Sequence, residues 1–253
     1  MISVEVDHCM ISETLWTDSS DGYSLHVIVS GKGIRQVQEE AYLLGAGNFF
    51  LCGPCSAGEF LALEETRSVQ IHFTQETFEA LRFNEDLPVV WDLPQEVLPE
   101  TEHLLERLAS EEEQMRSGGL IAKLGALSEL LLAAIREGKK ITQKQHRLAE
   151  SFLFIRDNYA RDITLHDLAA VSGVSVSHFR RLFQEEFKIS PIDHLVNYRL
   201  EKAARKLRSS SESIARIAVE CGFGDPNYFS RAFSARYKCS PRAWRKNQSG
   251  VSA

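Results

Sequence analysis

The chain has 253 residues, 43% hydrophobic and 25% charged, an ordinary globular composition that excludes global disorder and collagen-like structure. At roughly 100 to 200 residues per domain, this length predicts two domains. The net charge of −6 conceals opposite halves: residues 1–140 carry 10 basic and 24 acidic side chains, and residues 141–253 carry 19 and 11. Such asymmetry predicts that the second half meets a polyanion and the first does not.

The first half opens with an acidic stretch (Val4, Glu5, Val6, Asp7) where a secretory signal would place basic residues before an apolar run. The apolar stretch at 124–135 is interrupted by Ser128 and Glu129 and falls short of the roughly 18 residues a membrane span needs. A cytoplasmic protein with no membrane partner is expected. Five cysteines, Cys9, Cys52, Cys55, Cys221 and Cys239, are an odd number over a long chain; reduced thiols are expected rather than a disulfide framework.

Short β-type runs follow at 25–30, 33–38, 48–52, 60–63 and 68–73, separated by Gly31-Lys32-Gly33, Gly45-Ala46-Gly47 and Gly53-Pro54. Strands at this spacing predict a sandwich or barrel. Alternation along 25–30 puts His26, Ile28 and Ser30 on one face, and along 68–72 it groups Ser68, Gln70 and His72. His26, Ser30, Gln70 and His72 are candidate ligand contacts if that face points inward, and surface or core polar residues if it does not. After Pro99 the apolar period becomes helical: Leu104, Leu105 and Leu108, then Ile121, Leu124, Leu127 and Leu131, with Gly118-Gly119 between them. This predicts a helical hairpin over about 100–136, whose leucines either cover the sheet or form a subunit contact. Glu137-Gly138-Lys139-Lys140 has the composition of a linker. The expected division is a sensing and dimerisation domain over 1–137, a linker over 138–145 and a second domain over 146–253.

The second half repeats itself. Leu165, Leu168, Ala169 and Gly173 recur 49 residues later as Ile214, Ile217, Ala218 and Gly222. Phe179, Arg181, Phe183, Phe187, Ser190 and Pro191 recur 50 residues later as Phe229, Arg231, Phe233, Tyr237, Ser240 and Pro241. Each copy reads as helix, tight turn, helix. Thr164 is a good N-cap with Asp167 at the third helical position, and Gly173 falls at the turn. Asp225 can cap the second helix of the later copy with Pro226 at its first position, and the Ser-Pro pairs at 190 and 240 each open one further helix. The apolar stripes are core.

A helix-turn-helix differs from other helical hairpins by the outward face of its second helix, which must enter the major groove. The first copy offers Ser177, His178, Arg180, Arg181 and Gln184 there; the second offers Asn227, Tyr228, Ser230, Arg231 and Ser234. These side chains hydrogen-bond base edges or phosphates. In the first helix acidic residues are absent until Glu185, whereas a merely solvated face would mix Glu with Lys.

Residues 150–246 closely resemble the DNA-binding domain of the AraC/XylS family of bacterial transcription regulators. The resemblance is carried by Ile163-Thr164-Leu165-His166-Asp167-Leu168-Ala169, by Phe179-Arg180-Arg181-Leu182-Phe183 and by Tyr198-Arg199-Leu200-Glu201-Lys202-Ala203. Most specific is the run from Ile217-Ala218-Val219-Glu220-Cys221-Gly222-Phe223 through Asp225-Pro226-Asn227-Tyr228-Phe229-Ser230-Arg231, followed by Ser240-Pro241. Cys221 stands where the family often has a β-branched residue and Pro226 where many members have a polar one. The family implies seven helices, with two helix-turn-helix units joined by a long helix at about 192–207. It implies groove contacts at Ser177, Arg180 and Arg181, and at Asp225, Asn227 and Arg231. The first half resembles the cupin-like sensor domain of arabinose-responsive members, through Gly22-Tyr23, Gly31-Lys32-Gly33, Gly47 and Gln70-Ile71-His72-Phe73. The combined expectation is an α+β protein: a cupin-like β-barrel or sandwich with a helical hairpin, then an all-α domain with two helix-turn-helices. As the resemblance implies, it would be a homodimeric activator that binds double-stranded promoter DNA, works with RNA polymerase and is controlled by a small-molecule effector in the barrel.

Enzyme readings are weaker. Cys52-Gly53-Pro54-Cys55 matches a thioredoxin-type tetrapeptide, but Glu59-Phe60 beyond it leads into another strand instead of the helix that lowers a catalytic thiol's pKa. His26 and His72 lack the clustered histidines of metal-dependent cupin enzymes. A zinc-bound methyl-acceptor cysteine needs about four thiolates, and the first half holds only Cys9, Cys52 and Cys55. No catalytic residue, metal or cofactor is expected.

Overall fold

The computed structural model describes residues 4–249 apart from 12–13, 18–21, 38–39, 55–57, 84–86, 115–118 and 142. The chain forms two compact units, Met1–His146 and Arg147–Ala253, β-rich and helical respectively, so it is an α+β protein.

The first unit contains β1 (Val4–Ile11), β2 (Thr14–Thr17), β3 (Tyr23–Ser30), β4 (Lys32–Val37), β5 (Glu40–Gly45), β6 (Asn48–Cys52), β7 (Gly58–Ala62) and β8 (Thr66–Phe73). They are followed by α1 (Gln75–Ala80), β9 (Val89–Asp92), α2 (Leu98–Gln114), α3 (Gly119–Glu137) and β10 (Lys139–Lys140). The strands make two antiparallel sheets, ordered β1-β8-β3-β6-β9-β10 and β2-β7-β4-β5. Among the described residues no strand bridges the two, so the unit is an open two-sheet sandwich.

The central strands of the six-stranded sheet are buried on both faces, and their sequence shows why. In Phe49-Phe50-Leu51-Cys52, Phe49 and Leu51 join one apolar cluster with Leu25, Val27, Val69, Ile71 and Trp91 beneath Leu105, Leu127 and Leu130 of the α2–α3 hairpin. Phe50 and Cys52 join the other, with Ile28 and Val90, against Val37, Tyr42, Leu44 and Phe60 of the four-stranded sheet. A strand covered on both faces reads as an unbroken apolar run, and each fully buried Leu or Phe side chain there stabilises the fold by about 1.5–3 kcal/mol. The β3–β4 turn runs through Gly31 at φ +84°, where a Cβ would lie 2.4 Å from the Glu65 carbonyl oxygen; only glycine fits so close an approach in that conformation.

The runs at 4–11, 40–45 and 89–92 are strands that the turn-to-turn reading did not single out. Within 138–145, expected as a linker, Lys139 and Lys140 pair with Asp92 and Trp91, and Ile141 N–H donates to the Val90 carbonyl at 3.0 Å. Gly138 permits this, since a Cβ there would lie 2.3 Å from the Ala134 carbonyl oxygen and 2.9 Å from Trp91 Cβ.

The second unit contains α4 (Gln143–Asn158) from Arg147 onward, then α5 (Leu165–Val171), α6 (Val176–Phe187), α7 (Pro191–Ser209), α8 (Ile214–Glu220), α9 (Pro226–Tyr237) and α10 (Pro241–Ser249). The long α7 is shared, closing the first helix-turn-helix and opening the second. Among the described residues no helix is long and apolar enough to cross a membrane.

Candidate nucleic-acid interface

Each helix-turn-helix is specified by its caps. Thr164 and Asp167 form a reciprocal capping box on α5: Asp167 N–H donates to Thr164 Oγ1 at 3.2 Å, and Thr164 N–H to Asp167 Oδ2 at 2.8 Å. The helix ends at Gly173, φ +62°, with Val174 N–H reaching back to the Ala169 carbonyl at 3.1 Å. In the second unit Gly222, φ +84°, plays the same part and Phe223 N–H reaches the Ala218 carbonyl at 3.0 Å. Ser175 and Asp225 then cap α6 and α9, accepting from the backbone N–H of His178 at 3.3 Å and of Asn227 at 2.8 Å. Both recognition helices end on a left-handed lysine, Lys188 and Lys238, each at φ 59°. The extra residue in the second copy is Gly224, inserted in its turn.

Burying Phe179, Leu182 and Phe183 on α6, and Phe229 and Phe233 on α9, turns the opposite faces outward. Ser177, Arg180, Arg181 and Gln184 are exposed and His178 is half-buried; Asp225, Asn227 and Arg231 are exposed and Ser230 is half-buried. Within these faces the side chains differ in freedom. Arg181 lies along its helix, with Nη2 3.2 Å from His178 Nδ1 and Nε 4.0 Å from Glu185 Oε1. Ser230 Oγ donates to the Pro226 carbonyl at 3.0 Å, and Asp225 spends an oxygen on its cap. Arg180 and Arg231 make no hydrogen bond or ion pair among the described residues, leaving both guanidinium forks available for bidentate contacts. The twelve residues of α9 contain no acid, and α6 contains none in its first turn; the start of α6 presents a positive dipole end to an anion, whereas at α9 the Asp225 carboxylate already occupies that position.

The candidate ligand residues in the sandwich divide. His26 and Gln70 are cross-strand partners, each 5% exposed, on the face of the six-stranded sheet that meets the other sheet. His72 is half-buried beside them, its ring centroid 6.4 Å from that of His26 and its Nε2 3.6 Å from Asp7 Oδ2. Ser30 does not join them. The β3–β8 register shifts between Ile28 and Ser30, pairing Ser30 with Arg67, so a bulge breaks the expected alternation and leaves Ser30 exposed. Sequence reading missed Arg35, which the alternation Gly33, Arg35, Val37 along β4 could have revealed. Arg35 is 1% exposed, donates from Nη1 to the Gly58 carbonyl at 2.9 Å and has its guanidinium carbon 6.0 Å from the Phe50 ring centroid. Burial, then the charges of Arg35 and His72, hold the His26 imidazole well below its usual pKa; it is neutral, with Nε2 3.0 Å from Ser24 Oγ. Cys52 ends β6 fully buried, its Sγ 3.0 Å from Ser24 Oγ, and burial pushes its thiol pKa up. A redox nucleophile needs the opposite shift. Cys55 lies outside the described residues.

Two helix-turn-helices sharing one long helix define a double helix-turn-helix domain. A family model described as "Helix-turn-helix domain" matches residues 168–247. The chain is 26% identical over 166 residues to the HTH-type transcriptional activator RhaS of Klebsiella pneumoniae, covering 65% of this chain and 60% of that protein. To the HTH-type transcriptional activator RhaR of Mannheimia succiniciproducens it is 27% identical over 154 residues, covering 60% and 56%. The chain therefore spans about three-fifths of the length of the curated relatives it matches. A crystal structure of an AraC-type transcriptional regulator from Chromobacterium violaceum matches with TM-score 0.40 and 27% identity, over 41% of this chain and 93% of that one. A helix-turn-helix domain thus occupies the second half of the chain, and the chain is similar to these regulators over that region. Both curated relatives are named as transcriptional activators, not as enzymes.

Proposed function

We propose that the protein is a cytoplasmic transcriptional activator that binds promoter DNA sequence-specifically through α6 and α9 and acts with RNA polymerase. The observation that carries this reading is the duplicated helix-turn-helix whose two outward faces present arginine, amide and hydroxyl side chains, Arg180, Arg181 and Gln184 on one and Asn227, Ser230 and Arg231 on the other. Ser177, His178, Arg180, Arg181 and Gln184 meet one major-groove segment, and Asn227, Ser230 and Arg231 meet the next, about one helical turn away. Asp225 acts mainly by capping α9. Residues 1–137 form the sensing and dimerisation part, a cupin-like sandwich, and 146–253 the DNA-binding part. The buried polar layer of His26, Arg35 and Gln70, with His72 at its margin, supports a small-molecule effector between the sheets. Dimerisation is supported by α3, where Ile121, Gly125, Ser128, Leu132 and Ile135 recur at alternating spacings of four and three, the seam of a two-helix contact; Ile121 is 77% exposed, and Leu132 and Ile135 are exposed too.

The test is enrichment of duplexes from a random pool by the full chain, followed by anisotropy titration. Affinity for the enriched duplex should fall by on the order of 10³ between 50 and 200 mM salt as phosphate contacts are screened. Arg180→Ala should cost about 1–3 kcal/mol on the enriched duplex and relax preference at one or two base pairs. Failure to enrich any sequence overturns the proposal, and equal losses on enriched and unrelated duplexes remove Arg180 from base reading.

A further inference from the structure

Arg199, in the middle of α7, touches at once the connection that leads into the first helix-turn-helix and the turn of the second. Its Nε donates to the Tyr159 carbonyl at 2.7 Å and its Nη2 to the Arg161 carbonyl at 2.6 Å. Both acceptors lie in the short connection between α4 and α5, directly before the Thr164 cap that opens the first helix-turn-helix. The same guanidinium lies against the turn of the second: a Cβ on Gly222 would be 2.8 Å from Arg199 Nε and 2.7 Å from the Tyr159 carbonyl oxygen. The turn can come this close only because residue 222 has no side chain. Asp162 of the first connection, Tyr228 on α9 and Cys221 before the turn are the ionisable groups that act on the guanidinium, and burial lowers its pKa. Two other ties on α7 run to the second helix-turn-helix: Lys206 reaches Glu220 on α8 at 2.6 Å, and Arg236 on α9 reaches Glu201.

We propose that Arg199 is the positioning residue that fixes the spacing between the two reading helices, so that the length of DNA between their two segments is selected at this joint and not on either reading face. The proposal rests on the DNA-binding reading above. A planar fork on two fixed carbonyls resists both rotation and sliding, whereas an ammonium is a point donor on a flexible stem that fixes no plane. On the DNA side, one added base pair moves the second segment by about 3.4 Å and turns it by about 34°. A rigid joint cannot follow that displacement, and a loosened one can.

The experiment uses the full chain and the duplex that the wild type enriches from a random pool, remade with one base pair inserted or removed between the two protected segments. The wild type should lose at least about 30-fold in affinity on either respaced duplex, a penalty comparable to a mismatched base pair. Arg199→Ala should bind the original duplex about 10-fold more weakly yet lose less than about 3-fold further on respacing, and Arg199→Lys should fall between the two. Melting curves report whether each variant is folded; if Arg199→Ala is not, the respacing ratio of Arg199→Lys decides. A folded variant that keeps the wild-type ratio, or a wild type indifferent to respacing, overturns the joint. A wild type that enriches no two-part site overturns the DNA reading itself, before any variant is compared.

Discussion

In the first helix-turn-helix, Phe183 is ringed by Phe179 at 5.7 Å, Phe187 at 4.8 Å and His194 at 5.7 Å. In the second, 50 residues later, Phe233 is ringed by Phe229 at 5.5 Å, Tyr237 at 4.6 Å and Trp244 at 5.9 Å. The duplication therefore extends beyond the two-helix motif to the helix that follows it, with an imidazole in one copy where the other has an indole. Outside, the same register pairs Ser177 with Asn227, His178 with Tyr228 and Arg180 with Ser230. Close packing tolerates little change of volume or shape, so the interior of the duplicated unit is held. Solvent imposes no such limit on the outer face, which is free to differ between the copies.

The largest expected effect tests whether the interiors are equivalent. Phe183→Ala and Phe233→Ala each remove a fully buried ring and should each cost about 3–5 kcal/mol in urea denaturation, agreeing to within about 1 kcal/mol. A cost below about 1 kcal/mol at either position would show that the two cores are not the same structure.

The imidazole–indole difference should separate the copies in acid. Burial, with the charge of Arg236 adding, pushes the His194 pKa down to about 4 from an ordinary 6.5. The unfolded chain therefore binds this proton more readily than the folded one. Stability from this residue is complete above about pH 6.5 and declines as pH falls toward about 4, a loss approaching about 3 kcal/mol. Trp244 takes up no proton, so the decline belongs to the first helix-turn-helix. His194→Phe should flatten the stability profile between pH 6.5 and 4, and a profile parallel to the wild type's would remove His194 as its cause.

The smallest difference concerns the turns. Gly173 and Gly222 share a left-handed backbone, but a Cβ on Gly173 would meet nothing within 4 Å while one on Gly222 would strike Tyr159 and Arg199. Gly173→Ala should cost about 1 kcal/mol from backbone strain alone, and Gly222→Ala about 1–2 kcal/mol more from the added overlap. Equal melting-temperature losses would mean that the second turn is not held against α7.

Much of the helical half was legible in the sequence because its determinants are local. A capping residue, a glycine at the turn and an apolar stripe act over three to eight residues, and duplication allowed each to be checked against its copy. Thr164, Ser190, Asp225 and Ser240 occupy the capping positions their spacing predicts. The sandwich was less legible. Strand alternation says which residues share a face but not whether the partner strand keeps register, so His26 and Gln70 face the other sheet while the bulge after Ile28 turns Ser30 out. Strand β1 was missed because its apolar and acidic residues alternate without flanking turn signals.

The sequence by itself determined that a capped, glycine-turned helix pair occurs twice and that its outer faces are basic and polar, because backbone hydrogen bonding and side-chain period are set by near neighbours. Only the tertiary structure decided that Arg35 lies between two sheets, that His194 and Trp244 are counterparts, and that Arg199 meets Tyr159, Arg161 and Gly222 at one point. Those relations join residues from 20 to more than 60 positions apart, and they follow from which surfaces exclude water together, a property of the folded chain that no local pattern encodes.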